Sequence, residues 1–109
     1  MSEKTLLDRR LELDSVLRVL LGESSSNCYF QPPESVKLKY PCIVYHRNSA
    51  NTIYANNKPY RFRPGYTLTI ISKDPDDELV AKVSKLPLCR FDRHFTKDNL
   101  NHDVFTIYW

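Results

Sequence analysis

Hydrophobic positions recur at helical spacing through the first twenty residues. Leu6, Leu13, Val16, Leu17 and Leu20 fall on one face, and Leu7 with Leu11 widens that stripe, so a helix is predicted over roughly residues 3–21. Arg9, Arg10, Glu12 and Arg18 fall mostly elsewhere on the wheel. Gly22 stands where the helix would end, because glycine takes the left-handed conformation past a terminus without steric cost. The ESSSN that follows reads as a loop.

Beyond this point the period changes to two. Pro32, Pro33 and Pro41 interrupt CYFQPPESVKLKYPCIVYHR, which predicts a short extended piece at 28–31, a loop, and a strand at about 42–47. Cys42, Ile43, Val44 and Tyr45 are almost continuously apolar, as in a central strand covered on both faces. Thr52, Ile53 and Tyr54 predict a short strand, Asn56 and Asn57 a turn, and residues 60–72 a long returning strand, together a hairpin. In that strand Tyr60, Phe62, Tyr66, Leu68 and Ile70 share one face, and Arg61, Arg63, Thr67 and Thr69 the other. Pro64 and Gly65 in its middle predict a bulge or bend.

KDPDDELVAKVSKLP is the sharpest local signal. Asp74 is the expected N-cap, with Pro75 at the first helical position and Asp76, Asp77 and Glu78 at the positive end of the dipole. Leu79, Val80, Val83 and Leu86 supply a buried stripe, Lys82 and Lys85 face water, and Pro87 stops the helix. The chain closes on VFTIYW, where Phe105, Ile107 and Trp109 alternate with Val104, Thr106 and Tyr108. The order is α, short β, β, β, β, α, loop, β. It predicts a single α+β domain over 1–109, a mainly antiparallel sheet of four to five strands with two helices packed against it.

Composition narrows the function. With 109 residues, 41% hydrophobic and 27% charged, the chain has the balance of a globular domain. Only two glycines occur, so no glycine-rich phosphate loop is available. A net charge of +3, from 16 basic and 13 acidic residues, is not that of a dedicated nucleic-acid binder. No apolar run approaches membrane-spanning length, and the charged start is unlike a signal peptide, so a reducing cytoplasm and no membrane are expected. Cys28, Cys42 and Cys89 form no CxxC and read as free, small, buried side chains.

LCRFDRHFTKDNLNH, residues 88–102, most resembles chemistry. Zinc could take Cys89, His94 and His102 with Asp92 or Asp98, but the tight ligand pairs of structural zinc sites are missing. Cys89 with His94 or His46 could make a nucleophile, and Asp92 with Asp98 an acid and base; buried thiol and ordinary ion pairing are the simpler readings. Asp98 and Asn99 predict a turn, with Phe91 and Phe95 anchoring a shaped loop. PYRFRPGY interleaves arginines with aromatics, yet alternation opposes the two, giving a basic stripe without a stacking platform for single strands. No catalytic, cofactor-binding or metal residue is therefore assigned.

Residues 28–109 resemble the small neck proteins of tailed bacteriophages and prophages, in particular the tail-terminator or tail-completion family. The resemblance rests on Tyr40-Pro41 before the apolar strand Cys42-Ile43-Val44-Tyr45, the Asn-rich turn, and a tyrosine strand running into a Lys-Asp-Pro helix start and Leu-Pro stop. CRFDRHFTKDNLNHDVFTIYW is similar to the ending of such proteins. The resemblance implies a non-enzymatic structural protein of the virion tail, assembled in the bacterial host cytoplasm. It would form a homo-oligomeric ring, typically a hexamer, between the tail tube protein and the head connector or head-completion proteins. DNA passing through the lumen would be touched nonspecifically. Surfaces suited to a ring are the first helix, the 47–59 loop with Arg47, the Arg61/Arg63 strand face, and the 90–102 loop with Arg90, Arg93, His94 and His102. The alternative is a small metal-dependent nucleic-acid enzyme using residues 89–102, and a third reading is a single-strand-binding module.

Overall fold

Thr5 starts the first helix with a reciprocal cap. In the computed structural model, which describes residues 5–55 and 58–109 and the side chains outside 49–63, α1 spans Leu6–Leu21. The Thr5 hydroxyl accepts from the Asp8 amide at 3.0 Å, and the Asp8 carboxylate accepts from the Thr5 amide at 3.0 Å. Two donors that a helix start leaves open are thereby satisfied. Gly22 ends the helix at φ 61°, as its position in the sequence predicts. The buried stripe is narrower than the leucine pattern. Leu13, Leu17 and Leu21 are buried, Val16 and Leu20 are half-buried, and Leu6, Leu7 and Leu11 are exposed. Leu7 and Leu11 lie roughly 100° or more around the wheel from Leu13 and Leu17, which puts them on a flank rather than on the core.

The five strands are β1 (Cys28–Phe30), β2 (Cys42–Ala55), β3 (Lys58–Ser72), β4 (Cys89–Lys97) and β5 (Leu100–Tyr108). They form one sheet in the order β1-β2-β3-β5-β4. Helix α2 (Glu78–Ser84) joins β3 to β4. The fold is α+β, with one departure from antiparallel pairing: β1 runs parallel to β2, and residues 31–41 carry the chain back to make that possible. Both helices lie on one face. Leu13, Leu17, Leu21, Leu79 and Val83 pack there against Cys28, Ile43, Tyr45, Tyr66, Leu68, Ile70, Phe105 and Ile107. Tyr66, Leu68 and Ile70 share that face as their alternation predicts; Tyr60, Phe62, Arg61 and Arg63 lie outside the described side chains, and the Asn56-Asn57 turn outside the described residues.

Several boundaries differ from the sequence reading. Residues 47–55 are not a loop followed by a separate strand; they continue β2, which is 14 residues long. The irregularity expected at Pro64-Gly65 sits on the opposite strand. Arg47 pairs with Tyr66 and Ala50 with Pro64, so the extra residue is on β2 facing Gly65. Asp77, not Asp74, caps α2, accepting from the Leu79 amide at 2.9 Å and from the Ser72 hydroxyl at 2.8 Å. Asp74 instead accepts from the Asp76 amide at 2.9 Å, a side-chain turn ahead of the helix. Finally, residues 88–102 are not a loop: they are most of a β-hairpin.

The β2–β3 hairpin outruns its neighbours. Its ladder runs from Cys42 and Ile71 to Ala55 and Lys58, whereas β5 pairs with β3 only over 65–72 and β1 with β2 only over 43–45. Residues 48–55 and 58–64 therefore pair only with each other, as an arm beyond the sheet.

Candidate functional site

The stretch that most resembled a site is set by its turn. Asp98 and Asn99 have φ of 54° and 63°, the pair of positive values that a two-residue hairpin of right-handed twist requires. Asp and Asn are the side chains other than glycine that take this conformation readily. A ladder follows from Lys97 and Leu100 to Cys89 and Ile107, broken once where Asp92 is the extra residue between Phe91 and Arg93.

That bulge decides which side chains meet, since paired residues share a face. Cys89, Phe91 and His94 pair with Ile107, Phe105 and Asp103 and face the helices; Arg90, Arg93, Phe95 and Lys97 pair with Thr106, Val104, His102 and Leu100 and face away. His94 Nδ1 lies 2.8 Å from the buried Asp103 carboxylate. His102 stacks on Phe95 with centroids 4.6 Å apart and planes 12° from parallel, and the Arg93 guanidinium lies 5.7 Å from the same ring.

His94 and His102 thus point to opposite sides of the ribbon. Cys89 shares a face with His94 but sits four register positions away, about 13 Å along the strand, whereas ligands about 2 Å from a common zinc must nearly touch. Asp92 is in the bulge and Asp98 in the turn. His46 heads a row running through Thr67 and Thr106 to Arg90, on the face opposite Cys89. Among the described residues no group of three His, Cys, Asp or Glu is placed to hold a metal.

Burial pushes the Cys89 thiol up, away from the thiolate that a nucleophile needs. It pushes Cys42 up to about 11 and, with the Asp14 charge adding to it, Cys28 up to about 12. All three cysteines are free.

A polar cluster that sequence reading missed lies under α1. Asp14 accepts from the Tyr45 hydroxyl at 2.5 Å, from Arg18 Nε at 2.6 Å and from the Cys28 thiol at 3.7 Å. Arg18 also donates to the Ser25 and Cys28 carbonyls at 2.8 and 3.3 Å. Burial works against the Asp14 charge, but the bonds from Tyr45 and Arg18 outweigh it and hold the carboxyl below its usual range. Burial and the Asp14 bond push Tyr45 up. The cluster clips α1 to β1 and β2. Asp14 and Arg18 are visible as an i,i+4 pair in the sequence, but Tyr45 lies 31 residues away and nothing local announces it.

The remaining candidates do not converge. Arg47 is exposed on β2, paired with Tyr66, while Arg90 and Arg93 are exposed on β4, at the end of the sheet. What the arrangement offers is therefore surface: two strand edges, an arm, and scattered arginines. No protein-family model matches the chain, and no curated protein matches it either.

Proposed function

We propose that this protein is a neck component of a tailed bacteriophage or prophage, of the tail-terminator kind, acting by assembly and not by catalysis. It forms a ring, caps the tail tube and presents a surface to the head connector or completion protein. One structural observation carries the reading beyond the resemblance of residues 28–109. The β2–β3 hairpin outruns its sheet as an arm, and the sheet ends in two unlike edges, the short parallel β1 and the nine-residue β4. A ring subunit needs two different surfaces, and an arm extends its reach to a neighbour or to the tube. The reading that makes residues 89–102 a metal-dependent enzyme loses its support, because the hairpin separates Cys89, His94 and His102.

Tail tubes polymerised from tube protein of the same phage or prophage, with and without this chain, test the proposal in negative-stain electron microscopy. Shortened tubes carrying ring-shaped density at one end are expected. Tubes that elongate unchanged, with bare ends, would overturn it.

A further inference from the structure

Large apolar side chains left exposed collect at opposite edges of the sheet. At one edge are Leu7 and Leu11, 53% and 50% exposed; at the other are Leu88 and Phe91, 52% and 50% exposed. Leu7, Leu11, Asp14 and Arg18 form one stripe down a flank of α1. Asp14 and Arg18 in that stripe bond to Cys28, so the flank is turned toward β1, the first strand of the sheet. Phe91 lies on β4, the last strand, where its ring packs edge-on against Phe105 at 5.4 Å and the rest stays open.

We propose that these two edges are the halves of one head-to-tail contact between copies of this chain, Leu7 and Leu11 of one copy meeting Leu88 and Phe91 of the next. Charge selects this occupant. Asp8 and Glu12 border Leu11 around a shallow groove, and the arginines nearby are engaged, Arg18 on Asp14 and Arg10 over the Phe30 ring at 4.4 Å. On β4, exposed Arg90, Arg93 and Lys97 outnumber Asp92. Each edge thus carries the sign that attracts the other edge and repels its own kind, which disfavours a two-fold dimer. A contact between unlike surfaces propagates, and it closes into a ring when the rotation per step divides a full turn. Ring closure rests on the neck reading; the contact itself does not.

Complementation between two variants tests it. Leu7→Glu/Leu11→Glu disables one edge and Leu88→Glu/Phe91→Glu the other; circular dichroism checks that both fold. Native mass spectrometry is expected to show wild-type oligomers that grow with concentration and each variant alone as a monomer. An equimolar mixture should give 1:1 heterodimers, because each variant supplies the edge the other lacks. Should the Phe91 variant fail to fold, Arg90→Glu/Arg93→Glu takes its place. The contact is overturned if the variants still oligomerise, if the mixture stays monomeric, or if wild type is monomeric up to about 1 mM, the weak limit of specific association. That last result leaves the neck reading standing, since a terminator ring can form on the tube alone, and the tube experiment judges it separately.

Discussion

The Tyr45 hydroxyl donates a 2.5 Å hydrogen bond to the Asp14 carboxylate, tying β2 to the middle of α1. Tyr45 is fully buried, so removing its acceptor leaves a hydroxyl with no route to water. Asp14→Ala is expected to cost about 2–3 kcal/mol, the penalty of a stranded buried donor together with loss of a charge-assisted bond. Tyr45→Phe should cost about 1.5–3 kcal/mol, because the carboxylate keeps Arg18. The double variant should cost less than the sum by more than about 0.5 kcal/mol, as for residues in one network. Urea denaturation of the four proteins measures this, and strict additivity would contradict the coupling.

The same cluster sets the pH dependence. Asp14 is held below its usual value, so its contribution is complete above about pH 4 and is lost as pH falls through its folded value. Cys28 and Cys42 move the other way, from 9.0 to about 12 and about 11. Below pH 9 both thiols are protonated in folded and unfolded chains alike, and their contribution is intact. Above it, the unfolded chain releases protons that the folded chain keeps, costing about 1.4 kcal/mol per pH unit per thiol until the folded group titrates. Tyr45, also raised, adds to this loss above pH 10. The melting temperature should be flat near neutral pH and fall on both sides, and Cys42→Ala should make the alkaline fall shallower.

The hairpin turn predicts a steric asymmetry. Asp98 and Asn99 both hold positive φ, which glycine takes freely and a β-branched residue does not. Asn99→Gly should leave stability unchanged or slightly raised, while Asn99→Val should cost about 1–2 kcal/mol. Thermal denaturation of the two variants decides it; equal melting temperatures would place the turn elsewhere.

That turn also shows what the sequence discloses and what it hides. Asp98-Asn99 was readable because turn chemistry is local. The strands on either side were not, because Arg90, Asp92, Arg93, His94 and Lys97 on an exposed edge strand bury nothing that would leave an apolar period of two. Helix α1, β1, the start of β2 and the core face of β3 were legible from periodicity, proline and glycine. The α2 cap shifted from Asp74 to Asp77 because three aspartates in four positions offer equivalent caps, and the Ser72 hydroxyl, a tertiary partner, selects one. The candidate site failed for a related reason. Spacing brought Cys89, His94 and His102 close in number, but one bulge at Asp92 and the alternation of a strand divided them between faces and along the ribbon.

Truncation of the α1 leucines separates the two uses of that helix. Leu17 is fully buried against the sheet, so Leu17→Ala removes packed volume and should cost about 2–5 kcal/mol. Leu11 repeats in the same sequence pattern but is half exposed on the β1 flank, and Leu11→Ala should change monomer stability by less than about 0.5 kcal/mol. If the flank joins one copy to the next, the Leu11 variant instead weakens association, visible as a shift of the oligomer distribution to higher protein concentration. Leu17→Ala should lower stability with association lost only where the fold is lost. Denaturation and native mass spectrometry on the same two variants give four readings. A Leu11→Ala protein that unfolds as easily as Leu17→Ala would put Leu11 in the core and remove the flank from any interface.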